Sequence, residues 1–129
     1  MPAALLAFLA AAVIHVPVLE LKAARGHGKI FGAYESPDKH ATLIYSSDST
    51  GGDFPQSAVY VQTHGHLFDL GNYRRVTKVT WAKDGKSVTF EGSQLKDYGV
   101  DDVVRITFRV GAKQLDKVIL KQIKDEPTG

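Results

Sequence analysis

A chain of 129 residues with 43% apolar content is long enough for one domain with its own core. A net charge of +2 is too weak to argue for nucleic acid, and the lack of cysteine excludes disulfides, thiolate metal sites and cysteine nucleophiles. Twelve glycines, with many Thr, Val, Ile and Tyr, suit a β-rich chain with tight turns.

Residues 2–19 contain no charged side chain. As a helix they would span about 27 Å at ~1.5 Å per residue, close to the ~30 Å of a bilayer core. Three readings follow: a membrane anchor, a secretory signal with Ala10-Ala11-Ala12 as a cleavage pattern, or a buried helix followed by a strand over 13–21. His15 and Pro17 count against a continuous span. The anchor or signal reading is preferred, so 1–21 is expected to be an apolar helix and the protein membrane-anchored or exported to the cell envelope. The basic residues Lys22, Arg25 and Lys29 follow the run instead of preceding it, which leaves sidedness open.

Residues 22–28 read as a basic linker, 29–124 as an antiparallel β domain and 125–129 as a flexible tail. Strands are expected over 29–34, 41–46 and 58–63, with a turn at Ser36-Pro37-Asp38-Lys39. Residues 64–72 are turn-rich. The stretch 77–92 predicts a hairpin, with Asp84-Gly85 as a two-residue type I′ turn. Counting outward sets Trp81 opposite Val88, Thr80 opposite Thr89, Val79 opposite Phe90 and Lys78 opposite Glu91. Residues 103–110 alternate, with Val104, Ile106, Phe108 and Val110 inward. For 115–123, Val118 and Leu120 suit a strand, and Leu115, Val118, Ile119 and Ile123 suit a helix; β-branched content favours the strand. The expected fold is mainly β: a small antiparallel sheet or sandwich of about six to eight strands behind an N-terminal apolar helix.

Ser36-Pro37-Asp38-Lys39 followed by Ala41-Thr42-Leu43-Ile44-Tyr45, and then Val79 to Trp81 before Asp84-Gly85-Lys86, resemble the repeat of TolB-like (WD40-like) β-propeller blades. Those blades carry a Trp-Ser-Pro-Asp-Gly-Lys turn between two strands. Glu35 stands where Trp would be, Lys39 where Gly would be, and Ala82-Lys83 where Ser-Pro would be. A closed propeller needs about four to eight blades, more than this length holds. What the resemblance implies is a local β-meander. The layout is also similar to that of small envelope-tethered β domains of unknown function, an analogy that carries no activity.

Among candidate sites, His64-Gly65-His66 is the most chemical. Neutral imidazoles ligate zinc, copper or nickel, Asp69 could complete the set, and His40 is a remote fourth ligand. Exposed turn histidines are the plainer reading. Asp48, Thr50 and Asp53 offer oxygens at a calcium-like spacing but lack the acidic density of such loops. Gly51-Gly52 lacks the lysine of a phosphate loop, and no Gly-x-Ser-x-Gly elbow occurs. The basic residues Arg74, Arg75, Lys78, Lys83 and Lys86 surround Tyr73 and Trp81, but the hairpin register sets Lys78 and Trp81 on opposite faces. The expectation is a non-catalytic binding domain without cofactor, meeting a protein partner or a membrane surface through loops 47–56 and 63–72. Asp48, Thr50, Asp53, Phe54, His64, His66 and Phe68 are its candidate contacts. The rivals are a metal-dependent enzyme using His64, His66 and Asp69, and a structural subunit of a membrane complex.

Overall fold

The computed structural model describes residues 12–22, 29–48, 56–97 and 99–124. Their elements are strands: β1 (Val13–Val16), β2 (Leu19–Leu21), β3 (Ile30–Glu35), β4 (Ala41–Asp48), β5 (Gln56–Thr63), β6 (His66–Tyr73), β7 (Val76–Trp81), β8 (Ser87–Asp97), β9 (Val100–Arg109) and β10 (Gln114–Lys124). They form two five-stranded antiparallel sheets, ordered β1-β10-β9-β8-β7 and β2-β6-β5-β4-β3. The mainly antiparallel β reading holds, with more strands than expected.

The N-terminal helix does not form over the described part of residues 1–21. Val13 pairs with Val118 and Val16 with Leu115, while Leu19 pairs with Asp69 and Leu21 with Leu67. The local chemistry explains the difference. Val13, Ile14, Val16 and Val18 are β-branched and favour strands. Pro17 would break a helix, and it lies where the chain leaves one sheet for the other. Residues 1–11, the linker residues 23–28 and the tail 125–129 lie outside the described residues. Among the described residues no helix is long and apolar enough to cross a membrane.

The two sheets repeat one plan. β3 to β6 is a four-stranded meander with β2 added beside β6; β7 to β10 is another, with β1 added beside β10. Their first hairpin loops share one hydrogen-bond scheme. Ser36 N donates to Ala41 O at 2.8 Å and Lys39 N to Ser36 O at 2.9 Å; likewise Ala82 N donates to Ser87 O and Gly85 N to Ala82 O, both at 2.9 Å. Lys39 and Gly85 occupy equivalent left-handed positions, φ 61° and 71°. Asp38 accepts from His40 N at 3.3 Å, and Asp84 from Lys86 N at 2.9 Å. The likeness between the two sequence stretches is therefore one turn used twice. The copies touch, because a Cβ added to Gly85 would lie 2.6 Å from the Asp38 carboxyl.

This loop differs from the expected type I′ turn. Gly85 has positive φ and Asp84 does not, and the loop closes across Ala82 and Ser87. Trp81 still faces Val88, and Thr80 faces Thr89. Beyond them a bulge with Lys78 at φ 55° sets Thr77 opposite Glu91, so the expected Val79–Phe90 and Lys78–Glu91 register is lost. Lys78 keeps an ion pair with Glu91 at 3.3 Å.

The core lies between the sheets. Leu43, Val59, Val61, Phe68, Leu70 and Tyr73 enter from one side, and Val88, Phe90, Val104, Ile106, Phe108 and Leu115 from the other. Burying each such side chain contributes about 1.5–3 kcal/mol. Two ring pairs span the layers: Phe68 with Phe108 at 5.5 Å, and Tyr73 edge-on to Phe90 at 5.1 Å.

A polar cluster fastens β1 to β10. His15 Nδ1 lies 2.6 Å from Asp116 Oδ1, Gln114 Nε2 donates to the same oxygen at 3.0 Å, and Arg109 Nη1 donates to Asp116 Oδ2 at 2.9 Å. Burial works to raise the Asp116 carboxyl. The hydrogen bonds from Gln114 and His15, with the charges of His15 and Arg109, outweigh it and hold that carboxyl below its ordinary value. A depressed folded value means that the ionised group stabilises fully above the unfolded value of about 4. That contribution is lost as pH falls through the folded value. Asp116→Asn is therefore expected to cost stability at neutral pH and progressively less below about pH 4. Urea midpoints of both proteins at pH 7 and pH 3 check this; an equal cost at both would remove the ionic role.

Candidate functional site

A sheet edge presents unpaired backbone donors and acceptors, and proteins guard such edges with shortness, bulges and lysines. Among the described residues the four edge strands are β1, β2, β3 and β7. β1 and β2 expose Val13, Ile14 and Leu19 but have only four and three residues. β7 carries its Lys78 bulge in mid-strand. β3 is different. Its bulge falls at its start, between Ile30 and Gly32, and Gly32 to Glu35 then pairs regularly with β4.

This edge bears three exposed large side chains: Ile30 at 62%, Phe31 at 54% and Tyr34 at 39%. Phe31 and Tyr34 gather around Tyr45 on β4, while Ile30 lies opposite Ser46. The Phe31 ring is 6.4 Å from that of Tyr45, and Tyr34 stacks at 6.2 Å with planes 10° apart. Gly32 makes the arrangement possible. It sits opposite Tyr45, and a Cβ there would lie 2.5 Å from the Tyr45 ring. The ring thus covers the glycine, a known way of reinforcing a glycine in a sheet. The hydrogen-bonded Tyr34 phenol, together with burial, raises the Tyr45 phenol above its ordinary value, so Tyr45 is neutral at pH 7. From the other sheet, Trp81 Nε1 donates to Tyr34 O at 2.7 Å. The patch therefore joins the edges of both sheets.

The residues singled out from sequence lie elsewhere. His64 and Gly65, φ 45° and 79°, form a two-residue turn with Thr63 opposite His66. The chain reverses between the two histidines, so strand alternation does not set them side by side. His64 lies against His40 with ring centres 5.2 Å apart and planes tilted by 37°, whereas His66 Nδ1 pairs with Glu20. Asp69 Oδ1 accepts from Gly71 N at 2.9 Å. Among the described residues no three His, Cys, Asp or Glu side chains are placed to hold a metal, so His64, His66 and Asp69 do not assemble as a ligand set.

The loop contacts fare unevenly. Phe68 is buried against Phe108, and its place as a partner contact is corrected. Asp48 ends β4, while Thr50, Asp53 and Phe54 lie outside the described residues. In the basic stretch, Arg74 pairs with Asp101 at 2.6 Å and Lys78 with Glu91. The aromatic edge escaped the sequence reading, although Phe31-Gly32-Ala33-Tyr34 showed two rings flanking a glycine. No protein family, curated protein or solved structure matches this chain.

Proposed function

We propose that the chain is a non-catalytic binding domain that accepts an extended segment of a protein partner along β3. One observation carries this reading: β3 combines a six-residue edge with exposed Ile30, Phe31 and Tyr34. An added strand would gain backbone hydrogen bonds along the edge and set its alternate side chains against the rings. Rings, phenols and backbone groups suit contact and not bond breaking. An envelope location is proposed with it, on the apolar, uncharged residues 2–12.

A display library of random peptides, selected on the full chain, tests the reading. Selected peptides are expected to alternate large apolar residues and to protect β3 amides from hydrogen exchange. Phe31→Asp and Tyr34→Asp should each weaken them about tenfold or more, equivalent to ~1.4 kcal/mol. Lys83→Glu, on the β7–β8 loop, should leave them unchanged. Peptides that bind Phe31→Asp and Tyr34→Asp as well as the original protein would overturn the β3 assignment.

A further inference from the structure

Between the sheets, where the chain passes from β1 to β2 at Pro17, side chains leave a cavity of about 170 Å³. That is near the ~150 Å³ of an engineered apolar cavity that takes up benzene. Its walls include Val16, Leu70, Ile106 and Leu115. Asp69, Gln94 and Lys117 bring polar groups to it.

Lys117 is out of pattern. It sits opposite Ile106, a core residue, and on β10 it falls between Leu115 and Ile119, both packed into or against the core. Residues directly opposite share a face, so Lys117 occupies an inner position of the sandwich. Lys117 is half-buried there, and its side chain lines the cavity. Among the described residues Lys117 Nζ donates to Gln94 Oε1 at 3.4 Å. Gln94 is a second polar side chain on an inner position, four residues along β8 from Phe90 and on the same face by alternation.

The remaining polar groups are engaged otherwise. Asp69 holds the Gly71 amide. Tyr73 Oη donates to Leu70 O at 2.6 Å, and burial above all, with the Asp69 charge, pushes its phenol far above the ordinary value. Tyr73 thus forms a neutral wall.

We propose that this cavity binds a small organic carboxylate. The ligand's carboxylate takes the Lys117 ammonium and the Gln94 amide N–H, while Gln94 Oε1 keeps its contact with Lys117. An apolar body of about five to seven carbons, near benzene in bulk, lies against Val16, Leu70, Ile106 and Leu115. A charge placed inside an apolar wall breaks the sheet pattern, as functional positions do. The inference is independent of the β3 edge, which lies at the opposite side of its sheet from β2 and β6, the strands that reach the cavity.

Hexanoate is the probe, titrated into the full chain and followed by the methyl and amide resonances of Leu70, Ile106 and Leu115. Saturable shifts are expected, with acetate and hexylamine binding at least tenfold more weakly. Lys117→Gln should weaken hexanoate tenfold or more, and Lys117→Arg, which keeps the charge, should retain it. Dodecanoate should bind no more tightly than hexanoate; tenfold tighter binding would reassign the site to lipid acyl chains and overturn the small-ligand proposal. Hexylamine binding more tightly than hexanoate would mean that Asp69 is the seat, and would also overturn it. That comparison uses the unmodified protein, so it decides even if Lys117→Gln fails to fold.

Discussion

Phe108→Ala is expected to lower the free energy of unfolding by about 3–5 kcal/mol. Phe108 is fully buried on β9, opposite Val88 on one side and Leu115 on the other. Its ring meets Phe68 of the facing sheet at 5.5 Å, so the truncation removes apolar burial and a contact that holds two layers together. The neighbours cannot close the gap easily, because hydrogen-bonded ladders on both sides fix their backbones. Against a typical total of about 5–15 kcal/mol, the loss is severe. Urea unfolding with a matched slope measures it. The Phe68→Ala, Phe108→Ala double mutant should cost less than the sum of the single changes by about 0.5–1.5 kcal/mol, the share of the ring pair itself. A single-mutant cost below about 1 kcal/mol would show that this contact does not hold the sheets. Phe31→Ala offers the contrast. Phe31 is more than half exposed, and its loss should change stability by no more than about 0.5 kcal/mol. Separation of these two effects distinguishes aromatic residues of the fold from those of the surface.

Much of the fold was legible because one face of each strand is buried. The alternation through Val104, Ile106 and Phe108 placed β9 correctly, and the turn chemistry around Asp84 found its hairpin even though the turn type differed. The two related turns were visible, but not that they belong to facing sheets, since strand order is not written in local periodicity. The N-terminal run misled because composition alone does not separate a helix from strands; Pro17 and the β-branched residues were the stronger signals. β10 shows the same limit at finer grain. Val118 and Leu120 suggested its apolar face, yet Leu115 and Ile119 turn to the core, and a bulge follows Ile119. On a strand with Val118 and Leu120 inward, Lys117 would face solvent. Its oddity appears only once its neighbours across the sheet are known. The aromatic edge was hidden for a related reason: Tyr45 is far from Phe31 and Tyr34 in sequence, and only pairing of β3 with β4 brings the rings together.

Gly92→Ala is expected to destabilise the protein by about 2–3 kcal/mol, as overpacking does, against an ordinary benefit of about 0.4–1 kcal/mol from a less flexible unfolded chain. The cost is steric. Gly92 lies on β8 between Val76 and Val104, and an added Cβ would stand 2.7 Å from Arg75 O and 3.0 Å from Tyr73 Cβ. The nearest obstacle is backbone, which cannot rotate aside like a side chain. Here the chain leaves β6 and crosses to β7, held by Arg74 N donating to Ser93 O at 2.9 Å. Lifting this crossing would disturb Tyr73, which packs edge-on against Phe90, and Arg74, which pairs with Asp101. It would also displace the start of β7, the strand that delivers Trp81 to the carbonyl of Tyr34. The protein contains one tryptophan, so its emission reports this corner directly. In folded Gly92→Ala the emission should shift to the red as the Trp81–Tyr34 bond loosens, and peptides selected on β3 should bind more weakly. Lost stability with unchanged emission would confine the strain to the crossing and separate it from the aromatic edge. Unchanged stability would show that the crossing has room for a methyl group, contrary to its packing.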